Sequence, residues 1–239
     1  HVEKAFDFSG MGARNGVTAA VMAQLGFSGV WDVLDGEHNV LIALSTAPKP
    51  EEMIAGLGSR FFVTETAIKP YSVGYPIQSP LDAFLRLHRE HKLTADNVER
   101  IVVKLPEDGA RIVNDRSMPD VNCQHIIALA LVEGAVSFED SHSYERMKDP
   151  KVRAAKERVE LIADKSLMDP EAPRSGRVEV KLKDGRTVSH FTRHAPGTKE
   201  NPLTTEEVSA KARSLMAPVL GAGPAEEIIR RVNALEAVK

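Results

Sequence analysis

The run from Arg177 to Phe191 is the feature that most restricts the fold of this chain. Apolar and polar residues alternate on both sides of Asp184-Gly185, and an Asp-Gly pair between two such runs predicts a β-hairpin closed by a type I′ turn. Weaker alternation from Val98 to Leu105 predicts another strand, and Phe61 to Ile68 is predicted to be a short strand ending at Lys69-Pro70. The middle of the chain therefore has to contain a β-sheet.

Helical patterns occupy both ends of the chain and alternate with these strands. Asn122 to Gly134 is almost wholly apolar, so this helix has to be buried on most sides. Thr204 and Glu207 have the spacing of a capping box and predict a helix start. Other predicted helices are residues 14–25 ended by Gly26, Pro50 to Leu57, Leu81 to His88, Pro150 into the apolar patch Val159–Ala163, and one from Pro224 with Glu226/Arg230 and Glu227/Arg231 pairs. Helices at both ends thus enclose a mixed middle, which predicts an α+β fold.

Charge and cysteine content exclude several classes of function. With 31 basic and 34 acidic residues the formal charge is -3, and no lasting basic tract supports a nucleic-acid or anionic membrane partner. No apolar run approaches the ~20 residues needed to span a bilayer, so a cytoplasmic location is expected. Cys123 is the only cysteine and cannot by itself hold an iron–sulfur cluster. Since the chain opens on His1 within what resembles the middle of a protein, a fragment or one piece of an assembly is expected.

The glycine-rich segment Gly10 to Gly16 has three interpretations. Its spacing is G-x-G-x-x-x-G, which misplaces the third glycine for a dinucleotide site, and no βαβ alternation surrounds it. It is also consistent with a glycine turn leading into a tightly packed helix. In the third interpretation, the helix N-terminus at residues 13–15 holds a carboxylate with Arg14 as a fork-shaped partner.

Lys69 and His125 are the two residues most suited to chemistry, and each has a structural alternative. Lys69 follows an apolar strand, where a lysine either reaches solvent or binds a substrate carboxylate. His125 lies on the most apolar helix, where a histidine is either a hydrogen-bonded core residue or a proton donor and acceptor near neutral pH. His88 and His91 are spaced like metal ligands, but no nearby carboxylate completes a site and their neighbours are basic. They are therefore predicted to lie on a solvated helix face, and no metal site is predicted.

Six segments together resemble the MmgE/PrpD family, which includes 2-methylcitrate dehydratase and cis-aconitate decarboxylase. In chain order they are Gly10–Ala20, Gln24–Gly29, Ile68–Tyr71 with Leu81–Ala83, His125–Leu131, Met147–Pro150, and Asn201–Thr204 followed by Lys211. The resemblance implies a helical domain built from residues 1–64 and 201–239, with residues 65–200 forming an inserted α/β lid. It also implies a homodimer, or a partner chain that supplies the missing N-terminal helices of the family.

The resemblance implies a lyase that needs no cofactor and acts on a small carboxylate substrate. Lys69 matches the lysine of the family's K-P-Y motif and is assigned an electrostatic or acid role. His125 falls where many members have an active-site tyrosine and is assigned proton relay or substrate orientation, with Arg14 and Tyr71 as secondary contacts. Met11 falls where well-studied members carry a lysine, which weakens carboxylate recognition, and Gln78 falls where others have a histidine.

The reaction expected from the resemblance is dehydration of a hydroxy-polycarboxylate. Removing a proton next to a carboxylate creates an enediolate-like anion, which fixed positive charge or hydrogen-bond donors stabilise. Two alternatives stay open: an epimerase or isomerase acting on a similar acid, and a non-catalytic or partner-dependent subunit.

Overall fold

A computed structural model describes residues 10–237 of the chain, which divides into two compact units, the first ending at Phe61 and the second beginning at Phe62. The first unit contains α1 (Met11–Gln24), α2 (Val40–Leu44) and a 3-10 helix, Pro50–Met53. The helix predicted before Gly26 is confirmed, and Gly26 adopts a φ of 91°. The helix predicted from Pro50 to Leu57 is shorter than expected, because Gly56 has a positive φ that a helix does not accommodate.

The second unit is built on a four-stranded mixed sheet. Its strands are β1 (Val98–Leu105), β2 (Val159–Ala163), β3 (Gly176–Leu182) and β4 (Thr187–Thr192), in the spatial order β2-β1-β3-β4. β1 and β2 are parallel, and the other two pairs are antiparallel. The strand and the hairpin predicted from alternation are therefore confirmed.

The hairpin turn is not of the predicted type I′. That turn requires a positive φ at both central residues, and Gly185 has one whereas Asp184 does not. Gly185 N–H donates to the Leu182 carbonyl, and Leu182 N–H donates to the Arg186 carbonyl. The result is a three-residue loop with glycine in the left-handed position, the next most common way of closing a hairpin.

Helices cover the sheet and continue to the end of the second unit. Their bounds are α3 (Gln78–His91), α4 (Glu107–Val113), α5 (Cys123–Glu133), α6 (Phe138–His142), α7 (Pro150–Lys156), α8 (Thr205–Leu220) and α9 (Ala222–Asn233). Short 3-10 helices occupy Phe62–Glu65, Tyr75–Ile77, Pro119–Val121, Arg146–Lys148, Lys165–Leu167 and Leu235–Ala237. None of the helices described has the length and apolar character needed to cross a membrane.

Two apolar segments were assigned to the wrong element by their pattern. Val159–Ala163 was predicted to continue a helix from Pro150, but α7 ends at Lys156 and the patch forms β2, paired along β1 from Ile101↔Val159 to Leu105↔Ala163. Phe61–Ile68 was predicted to be a strand, but it contains the 3-10 helix Phe62–Glu65. A short apolar run is compatible with several structures, and the availability of a neighbouring strand decides between them.

The core lies between α3, α5 and the sheet. Every residue of α5 from Cys123 to Leu131 is buried, as its apolar sequence predicts. Phe84 of α3 and Ile127 of α5 are fully buried, and burying one such side chain contributes about 1.5–3 kcal/mol. Gly74 precedes α3 and Asp120 precedes α5. A hydrogen bond from Gly74 N–H to the Asp120 carbonyl at 2.8 Å holds these two preceding segments side by side.

The last two helices pack against each other. The predicted capping box of α8 is present, with Thr204 and Glu207 bonded reciprocally. Glu227 pairs with Arg231 as predicted, whereas Glu226 bonds Arg213 of α8 rather than Arg230. The α+β class is confirmed, while the division into a helical domain and an inserted lid stays a prediction.

Candidate active site

Lys69 begins a tight turn that leads into α3. We call residues 69–74 the Lys69 turn. Its Lys69 Nζ donates to the carbonyl of Val73 at 3.2 Å. Gln78, which is 0 % exposed, holds the same turn from inside: its Nε2 donates to the carbonyls of Tyr71 (3.0 Å) and Val73 (3.2 Å), and its Oε1 accepts from Tyr71 N–H (3.3 Å). The amide of Gln78 is therefore committed to the backbone of the turn.

Two further contacts fix the Lys69 turn to distant parts of the second unit. Ile68 N–H donates to the carbonyl of Gly197 at 2.8 Å, which joins the residue before Lys69 to the loop that precedes α8. Lys211 of α8 donates from Nζ to the carbonyl of Lys69. The position of Lys69 thus depends on helix α8 and on the loop leading to it.

A pocket of about 600 Å³ opens beside the Lys69 turn. It is lined by Pro70, Ser72, Val136, Ser137, Phe138, Glu139, Lys211, Ser214, Leu215, Pro218 and Val219. Lys211 is half-buried at its edge, and burial together with the positive charge of Lys69 lowers the pKa of its ammonium. Within residues 10–237, neither Lys69 nor Lys211 forms an ion pair with a carboxylate. Two neighbouring cations without a counterion favour the binding of an anion.

Tyr71 lies in the Lys69 turn, two residues after Lys69. It is partly buried and packs against the hydrophobic cluster. Burial, and secondarily the charge of Asp82, raises the pKa of Tyr71 to about 12. Its phenol therefore stays protonated at neutral pH, as a hydrogen-bond donor rather than a base.

His125 lies near the start of α5 and is only 1 % exposed. Its backbone N–H is capped by the Asn122 side chain at 2.9 Å, while its Nε2 is buried and has no hydrogen-bond partner among the described residues. Burial, and then the charges of Lys156 and Arg146, lowers the pKa of His125 to about 4. The imidazole is therefore neutral at physiological pH.

A second pocket, of about 380 Å³, is lined by His125. The other residues of its wall are Asp115, Gln124, Met147, Arg153, Lys156, Glu157 and Val159. Lys156 pairs with Asp115 there. Among the residues described, neither Lys69 nor Lys211 contributes to this wall, so the pocket lined by His125 is separate from the pocket beside the Lys69 turn.

We expect His125 to make the protein less stable in acid. A histidine whose folded pKa lies below its unfolded value stabilises the fold fully above about pH 6.5 and loses that contribution as the pH falls towards about 4. The loss is roughly 2–3 kcal/mol. Urea unfolding of the wild type and of His125→Phe across this range measures it.

Comparison with His125→Phe isolates the contribution of the His125 imidazole to the free energy of unfolding. Other titrating residues act equally in both proteins, so the difference between the two curves isolates His125. Parallel curves from pH 7 to 4 would show that the imidazole of His125 is hydrated or charged in the folded state.

Met11 and Arg14 lie in the first unit, within helix α1. Met11 is 39 % exposed, and Arg14 is also exposed. Because α1 begins at Met11, the residues Gly12 and Gly16 lie inside the helix rather than in a turn before it. The backbone of Arg14 accepts a hydrogen bond from Thr18 Oγ1 at 2.9 Å.

No group of three or more histidine, cysteine, aspartate or glutamate side chains is arranged to hold a metal ion in the part of the chain described. His88 is half-buried, and burial lowers its pKa, with a smaller contribution from Arg89. Its ring lies 6.1 Å from that of Phe84. His88 thus packs against the core, and the solvated helix face that the sequence predicted for it is wrong.

Lys211 and Gly197 are the residues of this site to which the sequence assigned no role. Lys211 had been noted only as part of the segment that follows Asn201–Thr204. A spacing of 142 residues separates it from Lys69, so the pairing depends on the tertiary fold. Gly197 has a φ of 86°, and no local turn motif in the sequence indicates its contact with Ile68.

Comparison with known proteins relates most of this chain to one family of sequences. Residues 71–237 match the sequence model of the MmgE/PrpD C-terminal domain. Cis-aconitate decarboxylase of Aspergillus terreus is 23% identical over 249 aligned residues, which cover 95% of this chain and 51% of that protein. Human cis-aconitate decarboxylase is 25% identical over 240 residues, covering 95% and 49%.

A dehydratase also resembles part of the chain. Mitochondrial 2-methylcitrate dehydratase of Yarrowia lipolytica is 26% identical over 134 residues, covering 50% of this chain and 25% of that protein. The chain spans about half the length of the decarboxylases that it matches.

Proposed function

Because the chain belongs to the MmgE/PrpD family, we propose that it carries the carboxylate-binding part of a lyase that dehydrates a small hydroxy-polycarboxylate. The observation that carries this proposal is the pair of lysines at the Lys69 turn, which have no acidic partner among residues 10–237. The names of the related proteins, two of which are given above as decarboxylases and one as a dehydratase, support a lyase at the level of the family.

In this proposal Lys69 stabilises the charge that develops during the reaction. A proton is removed from the carbon next to a carboxylate, and the electron pair moves onto that carboxylate as an enediolate. The ammonium of Lys69 is a fixed positive charge suited to that anion. The β-hydroxyl then leaves with a proton as water, so the products are an unsaturated acid and water.

His125 is proposed to accept or relay the proton. With its pKa lowered, the neutral imidazole has a lone pair available near pH 7, and a bound carboxylate would make the ring more basic. Tyr71 is proposed as a hydrogen-bond donor to the substrate. The substrate contacts of Arg14 and Met11, which lie in the first unit, stay predictions from the sequence. The homodimer is proposed as the working assembly, which native mass spectrometry tests.

Decarboxylation is a second candidate, favoured by the names of the two relatives that cover 95% of this chain. An unsaturated tricarboxylate would lose CO₂, and the resulting carbanion would be protonated to give a dicarboxylate. The same positive charge serves both reactions, because each passes through an anion next to a carboxylate.

Product analysis distinguishes these reactions. The chain is incubated with 2-methylcitrate, citrate or cis-aconitate, and the products are followed by mass spectrometry and by ultraviolet absorbance of the conjugated acid. Loss of water supports dehydration, and release of CO₂ supports decarboxylation. Uptake of solvent deuterium without an alkene supports an epimerase instead. Absence of both turnover and carboxylate binding would contradict the proposal.

We predict that the effects of Lys69→Ala and His125→Phe on turnover are not additive. In the proposed reaction both groups act on one developing anion, although Lys69 does not contribute to the wall of the His125 pocket, and each single change should lower kcat/KM by about 30–100-fold. The double variant should be about as slow as the slower single variant. Steady-state kinetics of the four proteins measures this.

Lys183→Ala is the matched control, because Lys183 is exposed in the hairpin loop. It should leave kcat/KM unchanged. If the losses of the two single variants multiply in the double variant, Lys69 and His125 do not act on one substrate, and their assignment to a common site is wrong.

A further inference from the structure

We propose that the pocket beside Lys211 binds a second carboxylate of the substrate and thereby selects di- and tricarboxylates over monocarboxylates. This inference rests on the proposed function, since it takes Lys69 to hold the carboxylate next to the reacting carbon. In the proposed function Lys211 is only a neighbouring positive charge and takes part in no step of the reaction. Its carboxylate subsite would set how far apart the two charged groups of the substrate lie.

The geometry of Lys211 leaves part of its ammonium available. An ammonium has three N–H donors, and one bond, to the carbonyl of Lys69, is present. Lys211 lines the pocket and is half-buried. A partly desolvated cation without a counterion is unfavourable, and within residues 10–237 no carboxylate pairs with it. A ligand carboxylate would supply the missing charge.

The rest of the pocket fits the carbon skeleton of a small acid. Its volume of about 600 Å³ is within the ordinary range for small-molecule sites. Pro70, Phe138 and Leu215 provide an apolar part of the wall, and Ser72 adds a residue with a hydroxyl group. Ser214 is less available, because its hydroxyl donates to the Lys211 carbonyl at 2.8 Å. One ammonium and one hydroxyl are suited to a single carboxylate.

Glu139 is the one acidic residue in the wall of this pocket. It is exposed and lies in the first turn of α6. Its negative charge opposes that of a bound carboxylate, so it weakens binding rather than contributing to it. This opposition provides a second test that does not depend on Lys211.

The first test compares citrate, succinate and acetate as probes. Their dissociation constants are measured by isothermal titration calorimetry for the wild type, Lys211→Ala and Lys211→Arg, with Lys183→Ala as control. In Lys211→Ala, citrate and succinate should bind about tenfold or more weakly. Acetate binding at Lys69 should stay within about twofold, because Gln78 and the Ile68–Gly197 hydrogen bond still hold the Lys69 turn. Lys211→Arg keeps the charge and should restore most of the affinity.

The second test uses Glu139→Gln, which removes an exposed charge and leaves the fold intact. It should strengthen citrate binding by about two- to fivefold and leave acetate binding unchanged. If Lys211→Ala does not fold, the citrate affinity of Glu139→Gln decides whether the pocket binds a carboxylate.

The outcomes separate this inference from the proposed function. Equal weakening of acetate and citrate in Lys211→Ala, or no weakening of either, would overturn the subsite while leaving a carboxylate site at Lys69. Glu139→Gln with unchanged citrate affinity would also count against it. If the wild type binds none of the three acids, both the subsite and the proposed function fail.

Discussion

Gly197→Ala is expected to destabilise the protein by roughly 3–5 kcal/mol. It is also expected to abolish carboxylate binding, although Gly197 does not line the pocket beside the Lys69 turn. Gly197 adopts a φ of 86°, where an alanine is strained. A Cβ there would overlap the carbonyl oxygen of Ile68. The substitution therefore pushes away the residue that precedes Lys69, and with it the hydrogen bond that holds the Lys69 turn to the loop before α8.

The comparison that isolates this clash is Gly185→Ala. Gly185 has nearly the same φ, 90°, but a Cβ there meets nothing within 4 Å, so only the conformational cost of about 1–2 kcal/mol remains. Urea unfolding gives the stability of both variants, and calorimetry gives their citrate affinity. If Gly197→Ala costs no more than Gly185→Ala, or binds citrate like the wild type, the contact with Ile68 does not position Lys69.

The periodic elements of this fold could be predicted because their own residues determine them. The α5 helix is apolar on nearly all sides, so burial and helix formation coincide from Cys123 to Leu131. The hairpin alternates and has an Asp-Gly pair, and both strands form where expected. The turn type was wrong because Asp184 keeps a negative φ, and loop length rather than the dipeptide selected the turn.

The elements that were predicted wrongly depend on neighbouring segments, which their own local sequence does not reveal. Val159–Ala163 is a strand because β1 presents an unpaired parallel edge to it, although its residues are equally acceptable in a helix. Phe62–Glu65 forms a 3-10 helix instead of the predicted strand. Pattern alone does not separate a short buried strand from other apolar segments.

The candidate site was only partly accessible from the sequence for the same reason. The K-P-Y motif identified Lys69, and the apolar helix identified His125, because both residues stand out locally. Lys211 contacts Lys69 although 142 residues separate them in the sequence. The contact depends on the packing of α8, which the local sequence does not indicate. The substrate contact of Gln78 stays a prediction. Its amide is bonded to the backbone of Tyr71 and Val73, from which we infer that it positions the Lys69 turn.

Substitution of Gln78 is the second change for which we expect a large effect on stability and on citrate binding. Gln78→Met keeps the length of the side chain but removes all three hydrogen bonds to the Lys69 turn. It leaves the N–H and the carbonyl of Tyr71 without the partners that bond them in the wild type, while the carbonyl of Val73 keeps Lys69 as a donor. Each unsatisfied buried group costs about 1–3 kcal/mol, so we expect a loss of roughly 3–5 kcal/mol. Citrate binding should weaken by at least tenfold, because the backbone that orients Lys69 is released.

Gln124→Met is the matched control for this substitution. Gln124 is also a buried helical glutamine, bonded to Asn114 Oδ1 at 2.6 Å and to Asp115 N–H at 3.0 Å, but it lies on α5 and makes no contact with the Lys69 turn through those bonds. Its loss should lower the free energy of unfolding by about 1–3 kcal/mol. Although Gln124 lines the His125 pocket, its loss should leave unchanged the citrate affinity that Lys69 and Lys211 provide. Comparable loss of citrate binding in both variants would mean that Gln78 acts only through global stability. Retention of binding in Gln78→Met would mean that Lys69 is positioned by Gly197 and Lys211 without it.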